Sequence, residues 1–233
     1  MTHADRLIVA LDADRLPQAV ALARQLQGLV RTVKVGSSLF TACGPAAVSR
    51  MRALGFRVML DLKFFDIPST VEASCRAAAR LRVAMLTVHA AGGLAMLQAA
   101  VRGARAEAAR LRIVRPRVLA VTVLTSVVDG RATRARVLAL AAAAARAGCD
   151  GVVASAQEAP ALWARFGRRL AVICPGIRPS WTSRHDQARV CMPASALNAG
   201  ASALVIGRPI TAARRPRAAA RRILEEMEDT CRC

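Results

Sequence analysis

The sequence predicts a single (β/α)8 barrel domain over residues 1–233, and three observations lead to that prediction. Eight short apolar runs of strand length recur along the chain, and stretches with helical spacing separate them. The length of 233 residues exceeds the roughly 200 that one barrel needs. A doubly wound open sheet is the alternative, but residues 10–14 carry no glycine-rich dinucleotide fingerprint after the first strand.

The predicted strands are rich in Val, Leu and Ile, as expected of parallel strands that are buried on both faces. In chain order they are 7–11, 30–35, 57–62, 84–88, 118–124, 151–154, 170–174 and 203–206. The helices predicted between them are rich in Ala, Leu and Arg, and they include 16–27, 70–81, 94–111, 134–147 and 194–199. We expect Asp14 to cap the first helix. Because strand and helix alternate throughout, the strands are expected to run parallel.

The charge and cysteine content of the chain narrow the classes of function. A formal net charge of +20 would suit an RNA-binding protein, which is kept as an alternative of a different class. Nucleic acid is nevertheless not an expected partner, because Arg is spread along the whole chain and the sequence holds no Tyr for base stacking. The seven cysteines show no zinc-type spacing, and no targeting or membrane-spanning segment is predicted. We therefore expect a cytoplasmic protein without a metal.

Lysine is almost absent from a chain that is rich in arginine. Only Lys34 and Lys63 occur among its 35 cationic side chains. A lysine can release its proton when its surroundings favour this, whereas an arginine stays charged, so both lysines are candidates for acid–base chemistry. Both lie where predicted strands end, which is where the catalytic residues of such barrels gather. The other residues of interest at these ends are Asp12, Asp61, His89, Thr125, Ser126, Arg178, Gly207 and Arg208.

Asp61 and Lys63 are two positions apart near the end of the third predicted strand. The alternation of side chains along a strand places both on the same side, in the mouth of the barrel. If Lys34 lies at the same level on the neighbouring strand, the carboxylate is flanked by two ammonium groups. Each charge then favours the ionised form of its partner.

Residues 61–70, which read Asp-Leu-Lys-Phe-Phe-Asp-Ile-Pro-Ser-Thr, resemble the Asp-x-Lys-x-x-Asp-Ile-x-x-Thr signature of the orotidine 5′-phosphate decarboxylase family. The resemblance departs at Phe65, where bacterial members often have His, and we expect the local packing beside Asp66 to differ there. Further segments resemble the family pattern in the same order, so that the resemblance covers nearly the whole chain. They are Ala-Leu-Asp at 10–12, Val-Lys-Val-Gly at 33–36, Val-His-Ala-Ala-Gly-Gly at 88–93, Leu-Thr-Ser at 124–126, Pro-Gly-Ile-Arg at 175–178, Asp-Gln at 186–187 and Ile-Gly-Arg at 206–208.

This resemblance implies decarboxylation of orotidine 5′-monophosphate to uridine 5′-monophosphate in pyrimidine biosynthesis, without any cofactor. It also implies that Lys63 protonates C6 as carbon dioxide leaves, and that Asp61 lies against the substrate carboxylate. Lys34 and Asp66 would complete a network of alternating Lys and Asp. The family is dimeric, so the resemblance implies a homodimer with shared active sites, in which Asp66 and Thr70 reach into the site of the second subunit.

The resemblance assigns substrate-binding residues as well. Asp12 matches a residue that binds ribose hydroxyls, and Thr125 and Ser126 match a segment that binds the pyrimidine edge. The polar segment 178–190 is similar to a lid over the substrate phosphate, within which Gln187 contacts that group.

Arginine and glycine residues after the last two strands complete the predicted substrate site. Arg178 follows the seventh predicted strand and begins the lid-like segment. Gly207 and Arg208 follow the eighth strand, where barrels of this class commonly bind phosphate. We expect the Arg208 guanidinium to hold two phosphate oxygens while Gly207 lets the backbone approach the group closely.

Two other enzyme classes stay open for this barrel. Metal-dependent sugar-phosphate decarboxylases or synthases of the same superfamily share the Asp-x-Lys-x-x-Asp pattern, but they use magnesium and generally carry Glu at the position of Lys34. An aldolase that forms a Schiff base would use Lys63 as an amine nucleophile. Neighbouring carboxylates oppose that use because they favour the ammonium form of the lysine.

Overall fold

The computed structural model describes residues 2–124, 131–182 and 191–228. Eight parallel strands close into a barrel, in which each strand pairs with its neighbours in the sequence and the last pairs with the first. The predicted fold class is confirmed. The strands are β1 (Leu7–Ala10), β2 (Thr32–Gly36), β3 (Arg57–Phe64), β4 (Met85–His89), β5 (Arg117–Val121), β6 (Gly151–Val153), β7 (Ala171–Cys174) and β8 (Ala203–Ile206).

Helices connect the strands and pack against the outside of the barrel. Within the described residues they are α1 (His3–Arg6), α2 (Leu16–Leu26), α3 (Ser37–Cys43), α4 (Pro45–Ala53), α5 (Pro68–Arg80), α6 (Gly93–Leu111), α7 (Arg131–Ala147), α8 (Ala159–Phe166), α9 (Pro193–Asn198), α10 (Arg208–Thr211) and α11 (Pro216–Glu228). None of these described helices combines the length and the apolar character that crossing a bilayer requires.

Two apolar clusters hold the layers together. The larger cluster lies between the strands and the surrounding helices, and it includes Val33 of β2, Leu60 of β3 and Leu97 of α6. Its burial provides the main driving force for packing the helices on the barrel. The smaller cluster fills the barrel interior and consists of Ile8, Ala10, Met59, Met85, Leu119, Ile173, Ala203 and Val205.

Two local predictions from the sequence were wrong. Asp14 does not cap α2, because the capping position is Arg15, whose side chain makes no capping hydrogen bond. Pro17 in the first turn lacks an amide hydrogen, which reduces the need for a cap. The fifth strand ends at Val121 rather than at residue 124, so that Leu124 lies beyond the strand and lines the mouth of the barrel.

The end of β3 departs from regular strand geometry. Leu60 pairs with Leu86 of β4, but the next pair joins Phe64 with Val88, so that three residues of β3 lie opposite Thr87 alone. Within this bulge Lys63 has a φ of 51°, in the left-handed region that residues other than glycine rarely adopt. The side-chain alternation that we assumed from the sequence is therefore interrupted between Asp61 and Lys63.

Candidate active site

A cavity of about 260 Å³ opens at the carboxyl ends of the strands. Its apolar lining includes Ala10, Met59, Val153 and Val205, which belong to the interior cluster or pack against it. Charged side chains surround this apolar part, as in ligand sites where an apolar lining carries a few polar groups that orient the bound molecule. The charged residues that line the cavity are Asp12, Lys34, Asp61, Lys63, Arg178 and Arg208, and the glycines that line it are Gly176 and Gly207.

The Asp61 carboxylate lies between the two lysines of the chain. Its Oδ2 atom is 3.0 Å from Lys63 Nζ and 3.4 Å from Lys34 Nζ. Lys34 Nζ is also 3.2 Å from Asp12 Oδ1, so that the four side chains form a row of alternating charge. The neighbourhood of Asp61 and Lys63 that we predicted is observed, although it arises through a bulge and not through regular alternation.

The row is compact because Gly36 leaves room for it. A Cβ atom at Gly36 would lie 2.9 Å from Lys34 Nζ and 3.5 Å from Asp12 Oδ1. The first distance is too short for a stable contact, so any side chain at Gly36 would displace the Lys34 ammonium from its place between the carboxylates.

Asp61 is almost fully buried, at 8% exposure, yet its surroundings favour the charged form. Burial by itself would raise the pKa of this carboxyl group, because a charge is poorly solvated in the interior. The charges of Lys34 and Lys63, with hydrogen bonds from Lys63 and Thr87, outweigh burial and hold the pKa of Asp61 below its ordinary value. Asp61 is therefore ionised at neutral pH; it accepts a hydrogen bond from Lys63 and forms an ion pair with Lys34.

Thr87 is the residue of this site that sequence reasoning missed. It lies on β4, it is completely buried, and its hydroxyl donates to Asp61 Oδ1 at 2.9 Å. The same hydroxyl accepts from the backbone N–H of Lys63 at 2.9 Å. A lone hydroxyl between the apolar neighbours Leu86 and Val88 of a predicted inner strand is the signal that would have found it.

Arginine residues lie across the cavity from the lysines. Arg178 follows β7, which is the fourth strand from β3 in either direction around the closed barrel and hence faces it. The Arg178 side chain is buried, at 5% exposure, and its Nη1 donates to the Ile177 carbonyl at 3.2 Å. Arg208 lies at the start of α10 directly after Gly207. One wall of the cavity therefore carries the Asp61–Lys63 ion pair, and the loops after β7 and β8 carry guanidinium groups.

Asp66 and Thr70 do not line the cavity of their own chain within the described residues. Asp66 Oδ1 accepts from the N–H of Ile67 at 2.6 Å, and both Asp66 and Thr70 are exposed. Phe65 and Ile67, which flank Asp66, are 62% and 64% exposed. The residues after β3 and the first turn of α5 thus present acidic, hydroxyl and large apolar side chains to the outside of the molecule.

Three of the predicted substrate-binding residues cannot be placed relative to the cavity. Thr125, Ser126 and Gln187 lie outside the described residues. Arg178 and Cys191, which lie before and after Gln187 in the sequence, are joined by a hydrogen bond from the N–H of Arg178 to the carbonyl of Cys191 at 2.9 Å.

His89 has a structural partner at the end of β4. Its Nδ1 accepts from the N–H of Ala91 at 3.3 Å, across the first turn after the strand. Burial, followed by the positive charges of Arg136 and Lys63, lowers the pKa of His89, and its ring lies 5.4 Å from that of Phe65. These contacts fit a structural role for His89 at the end of β4. Among the residues that the structure describes, no group of three or more His, Cys, Asp or Glu side chains is arranged to hold a metal ion.

Comparison with known proteins gives consistent matches. Residues 5–223 match the family model described as orotidine 5′-phosphate decarboxylase / HUMPS family. The chain is 49% identical over 234 residues to the orotidine 5′-phosphate decarboxylase of Moorella thermoacetica, with 96% of this chain and 92% of the relative covered. It is 43% identical over 239 residues to the enzyme of that name from Syntrophomonas wolfei, with 98% and 100% covered. The crystal structure of orotidine 5′-phosphate decarboxylase from Lactobacillus acidophilus superposes with a TM-score of 0.82 at 35% identity, covering 96% of this chain and 99% of that chain.

Proposed function

The chain belongs to the orotidine 5′-phosphate decarboxylase / HUMPS family, and we propose that it decarboxylates orotidine 5′-monophosphate to uridine 5′-monophosphate in pyrimidine biosynthesis, without a cofactor. Relatives named for this reaction match nearly the whole chain at 43–49% identity. The observation that carries the proposal is the Asp61 carboxylate, held 3.4 Å from the Lys34 ammonium and 3.0 Å from the Lys63 ammonium in the mouth of the barrel.

The reaction requires a fixed positive charge beside C6 of the substrate. Loss of carbon dioxide from C6 leaves an electron pair on a vinylic carbon, which the pyrimidine ring cannot delocalise. A fixed positive charge close to C6 stabilises that pair as it develops, and it does so more strongly in a cavity that excludes water. Lys63 supplies this charge, and Asp61 and Lys34 fix its position.

The proposed sequence of steps is short. The bond between C6 and the carboxylate breaks, carbon dioxide leaves, and the electron pair stays on C6 beside the Lys63 ammonium. Lys63 Nζ then gives a proton to C6, which yields uridine 5′-monophosphate, and the neutral amine regains a proton from water. The role of Asp61 in these steps is to hold the Lys63 ammonium, since their 3.0 Å contact keeps the proton donor in place.

The substrate phosphate is assigned to the far side of the cavity. Arg208 and Gly207 line this side after β8, and Arg178 lines it after β7. A phosphate dianion there would pair with guanidinium groups and leave the ring to reach Asp61 and Lys63. Asp12, which lies between these two parts and contacts Lys34 at 3.2 Å, is assigned to the ribose hydroxyls. Thr125, Ser126 and Gln187 keep their predicted roles at the pyrimidine edge and the phosphate.

A homodimer with shared active sites is part of the same proposal. Asp66 and Thr70 are exposed and lie outside the cavity of their own chain, as expected if they serve a neighbouring subunit. Phe65 and Ile67 expose more than half of their surface on either side of Asp66. Burial of these apolar side chains against a second copy would favour association.

We assign the enzyme to the cytoplasm, where thiols stay reduced. The five cysteines within the described part of the chain are free, and three of them are buried. Burial, as the first cause, raises the pKa of the Cys75 and Cys149 thiols to about 12, so that both stay protonated and unreactive.

Product analysis in the presence and absence of a chelator tests the proposed function. The purified protein is expected to convert orotidine 5′-monophosphate to equal amounts of carbon dioxide and uridine 5′-monophosphate, and EDTA should leave the rate unchanged. The physical reason is that the Lys34 ammonium, 3.4 Å from Asp61 Oδ2, supplies positive charge where the sugar-phosphate enzymes use magnesium. Production of both compounds is measured by NMR.

Two results would contradict this proposal. An activity that EDTA removes and magnesium restores would favour the metal-dependent sugar-phosphate class. Absence of any conversion by a correctly folded protein would exclude the reaction itself. A heat-denatured sample serves as the control for spontaneous decarboxylation.

A further inference from the structure

The backbone of Lys63 adopts an unusual conformation for a strand residue. Three residues other than glycine have positive φ within the described part of the chain. Arg112 directly follows α6, and Arg82 follows the C-cap residue Leu81 of α5; at both places the left-handed conformation is a common way to end a helix. Lys63 instead lies in β3, and a left-handed conformation is rare within a strand. A specific contact must therefore hold Lys63 in this conformation.

The Thr87 hydroxyl provides that contact. Lys63 lies in the bulge, where the ladder between β3 and β4 is interrupted, and its N–H donates to Thr87 Oγ1 at 2.9 Å. A partly buried backbone N–H without an acceptor would be destabilising, so the hydroxyl takes the place of the missing strand partner. Removing the hydroxyl removes the reason for Lys63 to stay in the left-handed region.

The same hydroxyl also fixes Asp61. A hydroxyl has one hydrogen to donate, a backbone N–H can only donate, and an ionised carboxylate can only accept. The direction of each bond is therefore set: Lys63 N–H donates to Thr87, and Thr87 donates to Asp61 Oδ1 at 2.9 Å. The other oxygen, Asp61 Oδ2, accepts from Lys63 Nζ at 3.0 Å. These three bonds form a closed ring that holds Lys63 at its backbone and at its ammonium group.

We propose that Thr87 is a positioning residue for the decarboxylation, which holds the Lys63 ammonium and the Asp61 carboxylate in the geometry that the reaction at C6 requires. This inference rests on the proposed function. Thr87 acts through Lys63 and Asp61 and is not among the residues that line the cavity within the described part of the chain. Its loss should therefore affect the chemical step more than the binding of substrate.

Substitution of Thr87 by valine tests the inference, because valine keeps the shape of threonine and removes only the hydroxyl. In Thr87→Val the single-turnover rate of decarboxylation should fall about 10- to 100-fold, since small displacements of a reacting group have effects of this size. The KM for orotidine 5′-monophosphate should change less than about 3-fold, because the phosphate and ribose contacts stay intact. Thr87→Ser, which restores a hydroxyl, should recover the rate to within about 3-fold of the wild type.

Thr32→Val is the matched control. Thr32 is also a buried threonine of an inner strand, but it lies at the start of β2, at the opposite end of the barrel from the cavity. This variant loses a hydroxyl of the same kind and should keep the wild-type rate to within about 2-fold. If valine at Thr87 disturbs folding, Thr87→Ala removes the hydroxyl without adding bulk, and we expect the same loss of single-turnover rate.

Two outcomes would overturn the inference. One is a Thr87→Val rate within about 2-fold of the wild type, and the other is a loss that Thr87→Ser fails to restore. An inactive wild type would instead reject the proposed function. In that case the crystal structure of Thr87→Val still tests whether Thr87 positions Lys63. A Lys63 that leaves the left-handed region and moves away from Asp61 supports it, and an unchanged Lys63 contradicts it.

Discussion

Replacement of Lys63 by alanine is expected to lower the rate of decarboxylation by about 10⁴-fold or more. The variant loses the proton donor for C6, whose contribution as a general acid is about 10²- to 10⁴-fold. It also loses a positive charge beside the developing electron pair, which is worth about 10²- to 10³-fold. The two losses are not additive because one side chain supplies both. Single-turnover loss of the orotidine 5′-monophosphate absorbance measures the effect.

Lys63→Arg separates the two contributions and serves as the matched variant. Arginine keeps a positive charge beside Asp61 but cannot release its proton near neutral pH. We expect Lys63→Arg to stay well below the wild type and to bind uridine 5′-monophosphate, which shows that the cavity is intact. A Lys63→Ala protein that folds and keeps more than about a tenth of the wild-type rate would exclude Lys63 as the proton donor.

Mixing two inactive variants is expected to restore activity if the active sites are shared between subunits. Lys63→Ala and Asp66→Ala should each be nearly inactive as homodimers, because every site lacks one of the two side chains. In a mixed dimer one site carries both changes, while the other combines an intact Lys63 with an intact Asp66 from the partner subunit. Random exchange of equal amounts gives half mixed dimers, so about a quarter of the wild-type activity should return if sites act independently.

The exposure of Asp66 in its own chain is the structural reason for this expectation. The measurement is the activity of the mixture after subunit exchange, with exchange verified by mass spectrometry of differently tagged chains. Each variant kept unmixed under the same conditions is the control. A mixture that exchanges fully, stays folded and regains no activity would contradict shared sites.

The barrel and the position of the lysines were predictable because strong local signals specify them. Each strand of the sheet is a short apolar run, and the two lysines stand out among 35 cationic residues. The helices α3, α4 and α8 were not among the predicted ones because they are short, and Gly44 and Pro45 at the junction of α3 and α4 read as a turn. Such helices depend on packing against the barrel more than on their own periodicity.

The details of the reaction site were less predictable because they depend on contacts between strands. From the sequence we expected regular side-chain alternation to place Asp61 and Lys63 side by side. In the structure they are neighbours because β3 has a bulge in which Lys63 adopts a left-handed conformation. Thr87 is 24 residues from Lys63, and no pattern local to either residue reveals their hydrogen bond. Asp14 was a reasonable cap by composition, but Pro17 in the first turn of α2 changed the local requirement.

The crystal structure of the wild-type enzyme with uridine 5′-monophosphate is the most direct test of how the cavity holds its substrate. We predict that Gly207 and Arg208 bind the phosphate and that C6 of the ring faces Lys63 Nζ, which lies 3.0 Å from Asp61 Oδ2. A nucleotide bound in the opposite direction, with its phosphate beside Lys34 and Lys63, would contradict the assignment of both ends of the cavity.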